Sequence, residues 1–244
     1  MTFLDLCAGI GGFSLGLEWA GMTCKGQVEI DDYCNRVLKK HWPHVPRWAD
    51  LKTINPDELP SVDLIAGGYP CQPFSLCGER QGADDDRHLW PFIFKIVTHL
   101  RPSWCLFENV VGHVTVGLDH VLSDLEMGGY TAWPLILPAC CVGAPHQRER
   151  VWIIAYSDKI RPEMCAIPQH GSYEAPHEQS IPAKASGYAA LVQRIFGTPD
   201  CEHIRRGDGI SHWLDRIGAI GNAVHPGVVF EIGRAIIAAH YGGA

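Results

Sequence analysis

The amino-acid sequence predicts an α/β fold: a doubly wound, mostly parallel sheet with a small irregular region late in the chain. Strand-like and helix-like stretches alternate over residues 1–156, and the first strand runs straight into a glycine loop that opens a helix. The strand candidates are also short, apolar and bounded by Gly or Pro, as buried strands are.

In order, Phe3 to Leu6 reads as a strand, Gly9-Ile10-Gly11-Gly12 as a turn, and Phe13 to Ala20 as a helix stopped by Gly21. Val28-Glu29-Ile30 closes a second strand, and Asp31 starts a helix carrying Tyr33, Val37 and Leu38 towards Pro43. Leu64 to Ala66 forms the next strand. It leads into Gly67-Gly68-Tyr69-Pro70-Cys71-Gln72-Pro73-Phe74-Ser75. Leu89, Ile93, Ile96 or Val97, and Leu100 recur at helical spacing, and Arg101-Pro102 breaks the run. Trp104 to Phe107 is a strand ending at Glu108-Asn109, and Leu118 to Met127 a helix closed by Gly128-Gly129. Strands near Ala132 to Leu137 and Val151 to Tyr156 follow.

Past Ser157 the prolines at 162, 168, 176, 182 and 199 and weak periodicity predict a small irregular region over 157–209. The remainder, 210–244, is expected to return to the first unit through the turn Gly221-Asn222-Ala223-Val224 and a helix marked by Val229, Ile232, Ile236 and Ala239.

Composition narrows the function. With 244 residues, 46% of them hydrophobic, the chain can bury a full core. The apolar segment from Phe3 has no basic leader, and no apolar run approaches the ~18 residues of a membrane span, so a cytoplasmic protein without membrane contact is expected. The ten cysteines sit in apolar runs without repeating spacing and without a Cys-x-x-Cys, which argues for reduced thiols and no metal site. A net charge of −7 argues against non-specific coating of nucleic acid while leaving room for a local basic cleft.

Four signals carry chemistry. Asp5-Leu6-Cys7-Ala8-Gly9-Ile10-Gly11-Gly12-Phe13 lets the backbone approach a ligand, and its Gly-x-Gly-Gly spacing differs from the dinucleotide fingerprint. Glu29, after the second strand, stands where an acid can grip ribose hydroxyls. Asp50 is a second candidate, for the adenine edge, with a plain helix cap or solvated carboxylate as its ordinary alternative. The third signal pairs Cys71 with Glu108. The prolines at 70 and 73 hold the thiol on stiff, non-helical backbone. A carboxylate beside a thiol raises the thiol pKa, so Glu108 suits a different task, handing a proton to a ring nitrogen while the thiolate attacks the ring. Fourth, Arg148 and Arg150 are expected to alternate on one side of a strand start, where two guanidinium groups can neutralise a carbonyl or phosphate oxygen.

These motifs, in this order and together with Gly221-Asn222-Ala223-Val224, resemble the DNA (cytosine-5)-methyltransferases, compact phage-like members above all. The resemblance implies a Rossmann-like S-adenosylmethionine-dependent methyltransferase fold acting as a monomer on a cytosine flipped out of double-stranded DNA, with a cognate restriction endonuclease as a candidate partner. It implies catalysis by Cys71, Glu108, Arg150, Arg148 and Asn109, the last positioning the catalytic loop. It further implies that S-adenosylmethionine is held by Asp5, Leu6, Cys7, Ala8, Gly9, Gly11 and Gly12, by Glu29 and Ile30, by Asp50 and Leu51, and by Pro70, Leu89, Asn222 and Ala223. The run Ser75 to Asp86, with Gly78 and Gly82, fits a loop closing over the base.

Departures from the family pattern are specific. Cys7 stands where phenylalanine is usual, Ile30 where a larger aromatic is frequent, His146 for glutamine and Ala223 for serine, and Arg194 begins only a weak form of the late arginine motif. Cytosine methylation in RNA is the alternative within enzymes, though the Cys-Phe-Thr signature of the tRNA-acting branch is absent. A silent module that binds S-adenosylmethionine or DNA would be expected to lack Cys71 or Glu108, and both are present.

Overall fold

The computed structural model describes residues 1–70, 89–115, 117–144, 147–160 and 223–242. Seven strands form one sheet in the order β3-β2-β1-β4-β5-β7-β6. They are β1 (Thr2–Leu6), β2 (Thr23–Val28), β3 (Arg47–Trp48), β4 (Leu64–Gly68), β5 (Trp104–Val110), β6 (Tyr130–Pro138) and β7 (Glu149–Ser157). The described helices are α1 (Gly12–Trp19), α2 (Asp32–His41), α3 (Trp90–Leu100), α4 (Leu118–Met127) and α5 (Pro226–His240).

β1 to β5 pair in parallel, as the alternation of strand and helix requires. β7 runs antiparallel to both β5 and β6. Among the described residues no α-helix separates β6 from β7. A short 3-10 turn at Ala139–Val142, closed by Gly143 at φ 82°, begins the return, so an antiparallel pairing is the accessible one.

Alternate residues of β1 face opposite cores. Phe3 packs with Phe13, Leu17, Val229 and Ile232 beneath α1 and α5, whereas Leu4 and Leu6 pack with Ile65, Ile93 and Phe107 on the other face. Both faces of the central strands are thereby covered, which explains their nearly continuous apolar runs. Close helix contact explains two glycines. A Cβ on Gly16 would stand 2.5 Å from the Pro226 carbonyl oxygen, and one on Gly12 would stand 2.6 Å from the Val224 carbonyl oxygen.

Several boundaries differ from expectation. β2 ends at Val28, leaving Glu29 and Ile30 beyond it, and Asp31 is the N-cap, its Oδ1 accepting from the Cys34 N–H at 2.8 Å. β5 continues through Glu108 and Asn109 to Val110, because these residues still pair with Trp152, Val151 and Arg150 of β7. β3 is only two residues long and has no periodicity to betray it. The expected region 157–209 lies outside the described residues from 161 onwards.

Candidate active site at the carboxyl edge of the sheet

The strand order reverses between β1 and β4, and a crevice outside the carboxyl ends of the strands is expected at such a switch point. The loop after β1 is built from left-handed residues, Cys7 at φ 56°, Gly9 at φ 55° and Gly11 at φ 89°. Glycine is required at 11 for a second reason, since a Cβ there would stand 2.5 Å from the Trp42 ring. Cys7 accepts its left-handed backbone despite carrying a side chain, and burial beside Glu29 and Asp5 raises its thiol pKa well above the usual range.

Glu29 ties this loop to β2. Its Oε2 accepts from the Gly9 N–H at 2.6 Å and its Oε1 from the Asp31 N–H at 2.8 Å, so the carboxylate is fixed while each oxygen retains lone-pair capacity. Ile30 beside it is 70% exposed, an apolar surface open at the ligand end of the sheet. Asp50 lies beyond β3 and takes up the role of a turn cap, its Oδ1 accepting from the Lys52 N–H at 2.9 Å, with Leu51 buried behind it. Asp5 and Leu6 are completely buried, and Ala8 nearly so, so the side chains of Asp5 and Leu6 are not presented to a ligand. The Asp5 carboxyl turns instead into α1, where Oδ2 accepts from the Ser14 N–H at 3.0 Å and the Ser14 hydroxyl at 2.7 Å.

The second half of the site lies on β4, β5 and β7. Glu108 pairs in register with Gly68 on one side and Trp152 on the other. Gly68 keeps space open here: a Cβ on it would stand 3.4 Å from Glu108 Oε2. Arg150 Nε lies 3.1 Å from Glu108 Oε1, an ion pair by distance whose alignment leaves Oε1 without a good hydrogen bond. Burial raises the Glu108 pKa from its ordinary value, and Arg150 and Arg148 pull it back part of the way.

Arg148 does not alternate with Arg150 on the strand as expected. It precedes β7 at φ 35° and donates from Nη2 to the Ala223 carbonyl at 2.9 Å, tying the approach to β7 to the segment leading into α5. Burial, then the neighbouring Arg150, lowers its pKa. Asn109 is buried and bonds locally, donating from Nδ2 to the Tyr69 carbonyl at 3.1 Å and accepting at Oδ1 from the Val110 N–H at 2.8 Å. Pro70 is exposed beyond that clamp, and Leu89 caps α3 against the core. Cys71, Asn222, His146, Arg194 and the run 75–86 lie outside the described residues.

Sequence reasoning missed the supports. The Tyr69 hydroxyl is 2.8 Å from His113 Nε2, and the Tyr69 ring packs against Trp90 and Phe107, so the side chain two residues before Cys71 is anchored in the core. Burial lowers the His113 pKa and so favours the neutral imidazole. Gln27 and Ser14 were also missed, because β2, Thr-Cys-Lys-Gly-Gln-Val, is mixed enough that a glutamine in it gives no signal of burial.

A sequence model of the C-5 cytosine-specific DNA methylases matches residues 1–206. The chain belongs to this family. The Type II methyltransferase M.HgiCII of Herpetosiphon aurantiacus is 35% identical over 180 residues, covering 70% of this chain and 41% of that protein. The chain therefore spans well under half the length of that relative. Among solved structures, a DNMT2 mutant of Spodoptera frugiperda superposes with a TM-score of 0.60 at 23% identity, covering 69% of this chain and 53% of the other. The methyltransferase EhMeth of Entamoeba histolytica gives 0.61 at 15% identity, with 95% and 96% covered. Both likenesses bear on the fold, the α/β methyltransferase architecture with a mixed seven-stranded sheet. Among the described residues there is no cluster that could hold a metal and no helix long and apolar enough to cross a membrane.

Proposed function

We propose that this chain transfers a methyl group to carbon 5 of a cytosine flipped out of double-stranded DNA. The observation that carries the reading is the convergence of a buried, pKa-raised Glu108 and its Arg150 partner with a clamped Tyr69-Pro70 segment, two strands from a glycine loop anchored to Glu29.

S-adenosylmethionine, when bound, supplies the methyl group. The residues after β1, β2 and β3 suit it: Glu29 offers its remaining lone pairs to ribose hydroxyls, Ile30 an apolar face to adenine, and the left-handed loop a close backbone approach. On the cytosine side, the Cys71 thiolate adds to carbon 6 while Glu108 gives its proton to ring nitrogen 3, and carbon 5 becomes an enamine-like nucleophile. Once carbon 5 carries the methyl group, loss of its proton to water, elimination of the Cys71 thiolate and return of the nitrogen 3 proton to Glu108 restore the ring. Arg150, poised on Glu108, would hold the cytosine carbonyl oxygen and limit the charge that develops there. Arg148 acts at one remove, through the Ala223 carbonyl. Base flipping costs a few kcal/mol, and the region 157–209 is the expected source of the compensating DNA contacts. A single copy acting on its own in the cytoplasm, with or without a cognate endonuclease, suffices for this chemistry.

The test is expression of the chain and its Cys71→Ser variant in a methylation-free host, followed by base-resolution mapping of 5-methylcytosine. Methylation at a fixed short sequence, absent in the variant, is the expected result. A folded protein that leaves the DNA unmethylated overturns the DNA reading and favours RNA or a silent binding module.

A further inference from the structure

Asp5 and Gln27 are register partners on β1 and β2, and Ser14 of α1 sits over both. All three are completely buried. Ser14 donates its N–H and its hydroxyl to Asp5 Oδ2 and accepts from Gln27 Nε2 at 2.9 Å. Two acceptors remain, Asp5 Oδ1 and Gln27 Oε1, both buried and both without a partner. Two buried acceptors left unpaired on register-paired residues are costly, and a proton on the carboxyl would turn one of them into a donor able to satisfy the other.

We infer that Asp5 is a positioning residue of the glycine loop and carries a proton on Oδ1, donated to Gln27 Oε1, that locks β1, β2 and the first turn of α1 together. The loop Cys7 to Gly11 has its two ends on this cluster, at the end of β1 and the start of α1, so its left-handed geometry depends on that lock. Burial, opposed in part by the bonds from Ser14, raises the Asp5 pKa to about 7, and the Glu29 carboxylate pushes in the same direction. Of the other titratable groups facing the cluster, the Cys7 thiol beyond β1 and the Cys24 thiol on β2 are held neutral by burial, while Glu18 of α1 acts on Cys24. Ala66, the β4 residue facing Asp5 in register, is neutral.

Ionisation of Asp5 would leave Gln27 Oε1 facing an anion, so loop order should weaken as pH rises through about 7. The inference rests on the reading of this loop as the cofactor site, and the test separates the two. S-adenosylhomocysteine affinity is measured by calorimetry on the full chain from about pH 6 to 9, with thermal unfolding followed in parallel. The wild type is expected to bind at least about fivefold more weakly at the alkaline end, and Asp5→Ala at least about tenfold more weakly throughout. Asp5→Asn mimics the protonated acid and should recover most of the affinity lost in Asp5→Ala while flattening the pH profile.

A wild-type affinity independent of pH, or an Asp5→Asn variant no better than Asp5→Ala, overturns the inference. If the wild type binds no S-adenosylhomocysteine at any pH, the cofactor reading falls, and the unfolding curves still decide the proton. The wild type should then lose more thermal stability between about pH 4 and 7 than Asp5→Asn, because only its folded chain holds on Asp5 a proton that the unfolded chain releases, while Glu108 contributes equally to both. Equal pH profiles for the two would overturn the proton.

Discussion

Glu108 is set between two opposing influences. Burial on the sheet favours its neutral form, and the guanidinium groups of Arg150 and Arg148 favour the anion. In the proposed reaction Glu108 gives a proton and later takes it back, and a group placed between such limits is suited to that. With the acid as donor, the rate should be full below the folded pKa and fall as pH rises through it. Arg150→Ala removes the stronger of the two guanidinium influences, so its alkaline limb should move to higher pH even as the maximal rate drops by about 100-fold or more. Glu108→Gln keeps the shape and loses the proton; it should retain S-adenosylhomocysteine binding and lose methylation by about 100-fold or more in single-turnover assays. Asn109 bonds the Tyr69 carbonyl and makes none of its described contacts with the glycine loop. Asn109→Ala should therefore lower the rate of methylation with little change in cofactor affinity, a split that kinetics and calorimetry together would reveal.

At the scale of elements, the site depends on how tightly α1 sits on its neighbours. Gly16 carries no ligand, yet a Cβ there would meet the Pro226 carbonyl and, at 2.6 Å, the Val229 Cβ, and backbone cannot swing aside as a long side chain can. Gly16→Ala should cost about 1–3 kcal/mol in urea unfolding, by separating α1 from α5. The antiparallel placement of β7 matters in the same way. It brings Arg150 opposite Val110 and within reach of Glu108, a juxtaposition that a parallel strand entering from the other end of the sheet would not make.

For the molecule as a whole, residues near both ends of the sequence form one core. Val228, Val229, Ile232 and Ile236 of α5 are buried with Phe3, Phe13 and Leu17. At about 1.5–3 kcal/mol for each buried side chain they contribute on the order of 6–12 kcal/mol, comparable to the ~5–15 kcal/mol that holds a typical domain together. Deleting residues 223–244 should therefore abolish cooperative unfolding and leave the chain aggregation-prone, as circular dichroism and light scattering would register. The same segment supplies the carbonyl that Arg148 holds, so folding and site assembly are one event here.

Much of this was legible in the sequence. Strands such as β1 announce themselves as short apolar runs because both of their faces are buried, and helices such as α4 because burial of one face imposes a period on the residues themselves. The glycine loop, Glu29, Glu108 and Arg150 were visible because their chemistry is rare in those local settings. Other features were decided only in three dimensions. β3 forms because Gln27 and Val28 present a free edge to Arg47 and Trp48, and two residues carry no period. Glu108 and Asn109 belong to the strand because β7 returns alongside them, and Arg148 leaves Arg150 because Ala223 comes within reach from far along the chain. The sharing of Ser14 by Asp5 and Gln27 also arises from a strand pairing and a helix docking. Local sequence determines what each segment can be; hydrogen-bond partners distant in sequence are chosen by packing, and these last assignments depend on such partners.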